Sequence, residues 1–186
     1  ETLMLVSTGS VARECRLQLP LIDLLCDYGA DPDSVSEATA LHAEMEALHA
    51  LIRRGAQINL PIAAALGRVD DFRKLLPGAN ARDQHLAFAL ASQFGHLEIV
   101  RLLLDAGEDP NRYNPVGGHS HSTPLHQAAA GGRIEMVRLL VERGARLDLK
   151  DILWHGTPAG WAEHEGKKEV AEYLRAQEAA RSKNEQ

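Results

Sequence analysis

The sequence repeats itself, and this repeat constrains the possible folds more than any other feature. A Thr-Pro pair begins one segment at Thr123, and a second begins at Thr157, 34 residues further along. Gly95 stands in an upstream segment where the later copies have Gly132 and Gly166. A fixed period of about 20 to 50 residues indicates small units that cannot bury an apolar face alone and therefore stack on their neighbours. The sequence thus predicts an array of units instead of one globular core.

Each unit carries the local signals of two short helices. Thr123 can cap the first helix with its hydroxyl, and Pro124 suits the first helical position because it has no amide hydrogen to leave unpaired. Gly132 then breaks that helix, and Gly144 ends the second helix in a left-handed conformation. The residues expected to face inward are Leu125, Ala128 and Ala129 in the first helix and Ile134, Val137, Leu139, Leu140 and Val141 in the second. An aromatic content of only 4% also favours closely packed helices, so the predicted fold class is all-α.

The segment TPLHQA at residues 123–128 resembles the ankyrin repeat, whose pattern is Thr-Pro-Leu-His-x-Ala, a Gly turn, a Leu-rich helix and a Gly-Ala-Asp exit. Residues 107–111 (GEDPN) and 29–33 (GADPD) match that exit. The resemblance implies an ankyrin-repeat solenoid of about six stacked helix-turn-helix units, with short β-turn fingers in the C-terminal half. It also implies that His126 stabilises a turn, and that the fingers and first helices form a concave face that binds a protein partner.

We expect one ankyrin-repeat domain over residues 1–180, followed by a frayed polar tail at residues 181–186. The predicted units are residues 1–33, 34–59, 60–80, 81–111, 112–148 and 149–180. Ala43 and Gly67 are the expected turn positions of the second and third units. The first unit is longer than the family spacing, which predicts an extended helix or an added loop there.

Charge and apolar content disfavour two classes of partner. The net charge is −6 at pH 7, and basic residues alternate with acidic ones, whereas nucleic-acid binding needs a concentrated cationic face. The longest apolar run is far shorter than the roughly 20 residues that a membrane-spanning helix needs. We therefore expect no nucleic-acid partner and no membrane association. Cys15 and Cys26 are interpreted as reduced core thiols of a cytoplasmic protein, with a disulfide or a catalytic thiol as the alternative.

Three further expectations concern the origin and state of the chain. It begins at Glu1 without a Met or a signal-like segment, which predicts a piece of a longer protein. The irregular early repeats and the Arg- and Ala-rich composition indicate a bacterial source. We also expect a monomer.

The spacing of the turn glycines predicts where a partner would bind. Gly95 and Gly132 are 37 residues apart, whereas Gly67 and Gly95 are only 28 apart, so the longer loops are expected in the C-terminal half. Two loops stand out, residues 112–122 (RYNPVGGHSHS) and 150–156 (KDILWHG), because they contain the residue types that supply most energy at protein interfaces. The predicted partner-binding residues are Gln93, Phe94, Arg112, Tyr113, His119, His121, Leu153, Trp154 and His155.

Some of these residues have a plainer interpretation. Trp154 could pack against Trp161 without touching a ligand, because aromatic side chains serve packing as well as binding. Arg112 could be a solvated charge of little energetic weight.

The sequence offers little that points to catalysis. It contains no phosphate loop, dinucleotide fingerprint, H-E-x-x-H or G-x-S-x-G, so we expect no enzyme activity and no cofactor. His119, His121, His126 and His155 leave one alternative open, a metal-binding protein or an enzyme that uses this His-rich loop to bind Zn²⁺ or Ni²⁺. Another alternative is a scaffold or regulatory segment of a larger protein whose catalytic domain lies upstream.

Overall fold

The computed structural model describes residues 1–116 and 118–184, and these residues form an array of paired α-helices without a β-strand. The first helices of the pairs are α1 (Thr2–Thr8), α4 (Asp33–Leu41), α6 (Leu60–Ala65), α8 (Ala81–Phe94), α10 (Pro124–Ala130) and α12 (Pro158–His164). The second helices are α3 (Gln18–Asp27), α5 (Met45–Arg53), α7 (Val69–Leu75), α9 (Leu97–Asp105), α11 (Ile134–Glu142) and α13 (Lys168–Asn184). A short helix α2 (Ser10–Glu14) lengthens the first pair, and a 3₁₀ turn (Leu76–Gly78) follows α7.

The first helices pack against one another in chain order, from α1 through α4, α6, α8 and α10 to α12. The second helices form an outer layer in which α3 packs on α5, and α7, α9, α11 and α13 follow one another. Small side chains in the first helices, such as Ala128 and Ala129, are fully buried and allow this close approach. The predicted all-α stack of helix-turn-helix units is therefore confirmed.

The turns within the pairs require a left-handed backbone. Gly67, Gly95, Gly132 and Gly166 all have a positive φ, between 66° and 85°. Ala43 occupies the same place between α4 and α5 with φ of 57°, a conformation that costs more for Ala because of its Cβ. The predicted turn positions Ala43 and Gly67 are thus confirmed.

The apolar interior divides into three clusters. A large C-terminal cluster runs continuously from α6 to α13 and includes Phe72, Phe88 and Leu103. A small N-terminal cluster around Ile22 and Leu51 joins α1, α3, α4 and α5. The third, a junction cluster between these two, consists of Ala40, Leu41, Leu48, Ile62, Ala65, Leu86 and Leu90. The buried apolar core is therefore larger in the C-terminal half than in the N-terminal half.

Several local expectations need correction or limits. Cys15 is exposed and Cys26 is only half-buried, so the interpretation of both as core thiols was wrong. Helix α13 continues to Asn184, and Arg181 donates to the carbonyl oxygens of Ala145 and Val141. The frayed tail expected at residues 181–186 stays a prediction. Residues 185 and 186 of that tail lie outside the described residues. Among the described helices, none has the length and apolar character needed to cross a lipid bilayer.

Candidate protein-interaction surface

A buried carboxylate organises the loop between α11 and α12. Asp151 is fully buried, and its Oδ1 accepts hydrogen bonds from the backbone amides of Leu153 (2.9 Å) and Trp154 (2.7 Å). Its Oδ2 accepts from the amide of Gly156 (2.7 Å) and from the indole Nε1 of Trp161 (3.0 Å). Burial raises the pKa of Asp151, but the bonds from Trp154, Trp161, Gly156 and Leu153 outweigh it and lower the pKa to about 2. The ionised carboxylate therefore fixes the shape of this loop.

The tip of the same loop presents consecutive apolar side chains to solvent. We call residues 152–155 the fingertip. Ile152 and Leu153 are each 58% exposed and Trp154 is 70% exposed, and the exposed His155 completes the tip. The amide of Ile152 donates to the carbonyl oxygen of His121 at 2.8 Å, which anchors the fingertip to the preceding loop. Exposed apolar residues that adjoin one another mark a protein-interaction surface more often than isolated ones do.

Aromatic side chains from the preceding loop and from α12 pack against Trp154 of the fingertip. The Trp154 and Trp161 rings have centroids 6.1 Å apart, and the His121 ring lies 5.3 Å from the first and 5.7 Å from the second. The His126 ring meets Trp161 edge-on at 5.2 Å. Trp154 thus both packs on Trp161 and remains open to solvent.

His126 has the turn-stabilising role that the sequence predicted. Its Nδ1 accepts from the Thr123 hydroxyl at 2.8 Å, and its Nε2 donates to the carbonyl oxygen of Gly156 at 3.1 Å. Burial lowers the pKa of His126, against the opposing effects of the Gly156 bond and of the Asp151 charge. A neutral ring with one donor and one acceptor therefore connects the start of α10 to the base of the fingertip loop.

Part of the other long loop lies against the first helices. We call residues 112–116 and 118–122 the strap, because they fold back across the first helices. The His119 Nε2 lies 3.4 Å from the carbonyl oxygen of Leu41, at the end of α4. Gly118 is buried, and a Cβ built on it would lie 2.7 Å from Leu86 and 3.8 Å from Leu41. The strap therefore spans from α10 to α4, where the sequence predicted an open finger.

Tyr113 connects the strap to the fingertip loop. Its hydroxyl donates to the carbonyl oxygen of Lys150 at 2.6 Å, next to Asp151. Its own carbonyl oxygen accepts from Nε2 of the buried His85 at 3.1 Å, and the other ring nitrogen of His85 lies 2.9 Å from Glu108. Tyr113 is half-buried, so it braces the loops with its polar groups and leaves only part of its ring for contact with a partner.

The remaining predicted site residues lie at different depths. Gln93 is half-buried, and its Nε2 lies 3.5 Å from the Leu41 carbonyl oxygen that also faces His119. Phe94 is half-buried and packs against the junction cluster. Arg112 is exposed, with its guanidinium 3.6 Å from Glu108. Of the predicted site residues, the structure brings four together at or beside the fingertip: His121, Leu153, Trp154 and His155. Tyr113 is joined to their loop by a hydrogen bond. Gln93, Phe94 and His119 lie deeper, on the inner side of the array.

Sequence reasoning singled out the loop that contains Asp151 and Ile152, but it did not name these two residues or Trp161 among the partner-binding residues. The order Asp-x-x-Trp before a Thr-Pro helix start carries one usable signal, because an Asp in a loop tends to accept amides two or three residues ahead. The pairing of Asp151 with Trp161 carries no local signal, since it joins the loop to the middle of α12.

The histidines of the strap do not assemble a metal centre in the described part of the chain. The rings of His119 and His121 meet edge-on with centroids 6.0 Å apart. Residues 1–116 and 118–184 contain no group of three or more His, Cys, Asp or Glu side chains that could hold a metal ion. Burial lowers the pKa of His119, and the bond to Leu41 only partly offsets this effect, so the ring is neutral near pH 7.

Comparison with known proteins places this geometry in a family. The profile "Ankyrin repeats (3 copies)" matches residues 60–151 and, in a second overlapping match, residues 88–186. The human protein "Cyclin-dependent kinase inhibitor 2A" is 36% identical over 121 residues, which are 63% of this chain and 75% of that protein. "Cyclin-dependent kinase 4 inhibitor B" from Rattus norvegicus is 33% identical over 127 residues, which are 66% of this chain and 94% of that protein.

A third relative is a much larger protein. "Ankyrin repeat and SAM domain-containing protein 6" from Mus musculus is 38% identical over 97 residues, which are 50% of this chain and 11% of that protein. These three relatives are mammalian, so the expected bacterial origin has no support from them. The family profile matches most of the chain, and these relatives are 33–38% identical to it over the matched residues. Both findings agree with the stacked helix pairs. The chain therefore belongs to the ankyrin-repeat family.

Proposed function

We propose that this chain is a protein-interaction module that binds a folded partner through the fingertip and the adjoining inner side of the array. The observation that carries the proposal is the run of three exposed apolar side chains, Ile152, Leu153 and Trp154, on a loop that Asp151 holds in one shape. Apolar area on a monomer surface favours association because binding removes it from water.

Preorganisation is the physical reason to expect useful affinity. A flexible loop loses conformational freedom when it binds, and each immobilised side chain costs about 0.5–1.5 kcal/mol. Here the Asp151 bonds, the Ile152–His121 bond and the Tyr113–Lys150 bond already order the loop in the free protein. Trp154 and Tyr113 also belong to the residue types that most often dominate interfaces.

The first partner to test is cyclin-dependent kinase 4. Relatives named as inhibitors of this kinase share about a third of their residues with the chain, and the chain covers nearly the whole length of one of them. On this proposal the chain acts by occupying the kinase surface and carries out no reaction of its own. We further propose that it works in the cytoplasm as a monomer and without nucleic acid.

The principal alternative is a scaffold or regulatory segment of a larger protein. One observation favours this alternative: the residues that match "Ankyrin repeat and SAM domain-containing protein 6" make up only 11% of that protein. An array of this kind can therefore form a small part of a long protein. In that case the same fingertip would bind another protein or another part of the same chain.

The proposal is tested by measuring the affinity of purified cyclin-dependent kinase 4 for wild-type protein and for Trp154→Ala by surface plasmon resonance. We expect at least a tenfold increase in Kd, because truncation of a central interface aromatic commonly costs about 2 kcal/mol or more. The matched control is Tyr28→Ala, because Tyr28 is 85% exposed but lies at the end of α3, far along the chain from the fingertip.

Two outcomes would count against the proposal. Failure of the wild-type chain to bind the kinase would exclude that partner. A photo-crosslinking amino acid placed at position 154 would then be compared in cell lysate with the same group at position 28. Equal capture of proteins at both positions would exclude the fingertip as an interaction surface.

A further inference from the structure

A pocket of about 430 Å³ opens beside the fingertip. It lies between the fingertip loop and the C-terminal end of α12. Its lining consists of Trp154, Gly156, Gly160, Trp161, His164 and Glu165. Two indoles and a carboxylate therefore share one small cavity.

The two indoles form a wedge whose shape is fixed in advance. Their planes meet at 60° with centroids 6.1 Å apart. Both are held by Asp151, which accepts the backbone amide of Trp154 on one carboxylate oxygen and the indole Nε1 of Trp161 on the other. The His121 and His126 rings pack against Trp161 as well and help to hold its ring in place. A ligand would find these walls already in place.

The electrostatics of the wedge favour a cation. The face of an indole is the negative end of its quadrupole, and tryptophan is the best aromatic partner for a cation. The bond from Trp161 Nε1 to the ionised Asp151 polarises that ring further and increases the electron density on its face. Glu165 adds a carboxylate to the rim, and neither Lys nor Arg is among the lining residues.

The glycines of the lining leave room for an elongated side chain. A Cβ built on Gly160 would meet only the Thr157 hydroxyl, at 3.7 Å, so the space above this position is open. A Cβ on Gly156 would lie 3.0 Å from the Trp161 ring and would narrow the wedge. The absence of side chains at these two positions keeps the Trp161 face accessible.

We propose that this pocket binds an arginine side chain of the partner protein, with the guanidinium stacked on the Trp161 face beside the Trp154 ring and paired with Glu165. The inference rests on the proposed function, because the arginine belongs to the protein that the fingertip contacts. Arginine fits better than lysine, since a planar guanidinium can stack on an indole and still donate from its edge to a carboxylate.

The test uses a short peptide and the two indole N–H signals of the protein. The chain has two tryptophans, so a ¹H–¹⁵N spectrum contains two indole signals, and a Trp154→Phe variant assigns them. The probe is acetyl-Gly-Arg-Gly-amide, compared with peptides that carry citrulline, norleucine or lysine at the central position. We expect the arginine peptide to shift both indole signals saturably, and the uncharged citrulline and norleucine peptides to bind at least tenfold more weakly.

Variants test whether the Glu165 carboxylate contributes to binding of the arginine side chain. Glu165→Gln should weaken the arginine peptide at least threefold and leave the norleucine peptide unchanged. Glu169→Gln is the matched control, because Glu169 is an exposed carboxylate on α13 that does not line the pocket. Equal binding of arginine and norleucine peptides, or no shift of either indole by the arginine peptide, would overturn the inference. The proposed function is tested separately. If a partner protein bound the wild-type chain and bound Trp154→Ala more weakly, the proposed function would stand even though the arginine site had been excluded.

Discussion

At the scale of single residues, the structure depends on a few polar groups placed where they cannot reach water. Asp151 is the clearest of them, because one carboxylate satisfies three backbone amides and one indole. Hydrogen bonds to a charged group are worth about 1.5–3 kcal/mol each, more than bonds between neutral groups. The loss of this charge should therefore affect stability and the fingertip together.

Asp151→Asn should lower the free energy of unfolding by about 2–4 kcal/mol, because an amide nitrogen would face donors that now meet an oxygen. The folded pKa of Asp151 is about 2, below the ordinary value of 3.8, so the carboxylate stabilises the fold fully above pH 3.8. That contribution is lost as the pH falls through about 2.

Urea unfolding of wild type and Asp151→Asn at a series of pH values measures this contribution. Asp148→Asn is the control, since Asp148 is exposed and pairs with Arg146 at the surface, where an ion pair is worth about 1 kcal/mol or less. A difference between wild type and Asp151→Asn that did not shrink below pH 4 would contradict the proposed role of the charge.

Residues that act within their own turn could be predicted from the sequence, whereas those that act across turns could not. Thr123, Pro124 and Gly132 form the expected helix start and turn because their effects are local. The bond from Tyr113 to Lys150 and that from Trp161 to Asp151 join separate loops, so no local pattern contains them. The sequence places Trp154 in the loop at residues 150–156, but the orientation of its side chain depends on these non-local bonds.

At the scale of elements, the strap and the fingertip loop show that similar loops can take opposite courses. Both follow a second helix and precede a Thr-Pro helix start. The strap lies against α4 and α8 because Gly118 lets its backbone approach Leu86, whereas Asp151 holds the fingertip out toward solvent. Loop length could be counted from the sequence, but direction depended on one glycine and one carboxylate.

Gly118→Ala should loosen the strap and lower the free energy of unfolding by about 1–3 kcal/mol, because the new methyl group would lie 2.7 Å from the buried Leu86. Gly160→Ala is a matched control, since it adds the same methyl group in α12 with its nearest neighbour at 3.7 Å. The control should be neutral or stabilising by up to about 1 kcal/mol, because Ala restricts the unfolded chain more than Gly does. Urea denaturation followed by circular dichroism compares the two, and equal effects would show that the strap is not closely packed.

At the scale of the whole molecule, the division of the interior predicts an uneven stability. Repeat arrays gain stability from each unit and from each contact between neighbours, so a region with fewer buried contacts can open alone. The N-terminal cluster around Ile22 is much smaller than the C-terminal cluster that supports the fingertip. The junction cluster, together with the bond from His119 to Leu41, is the connection through which the two halves could stabilise each other.

Hydrogen exchange followed by mass spectrometry should resolve this difference. Amides of α3 and α5 should exchange before those of α9 and α11, since local opening requires less buried area to be exposed there. Ile22→Ala creates a cavity at a fully buried site and should cost about 2–5 kcal/mol, raising exchange in α3 and α5 by more than tenfold while α11 stays unchanged. Leu103→Ala, an equally buried change in the C-terminal cluster, should instead raise exchange in α9 and α11. If either variant raised exchange equally along the array, the halves would open as one unit, and the fingertip would depend on the N-terminal helices for its stability.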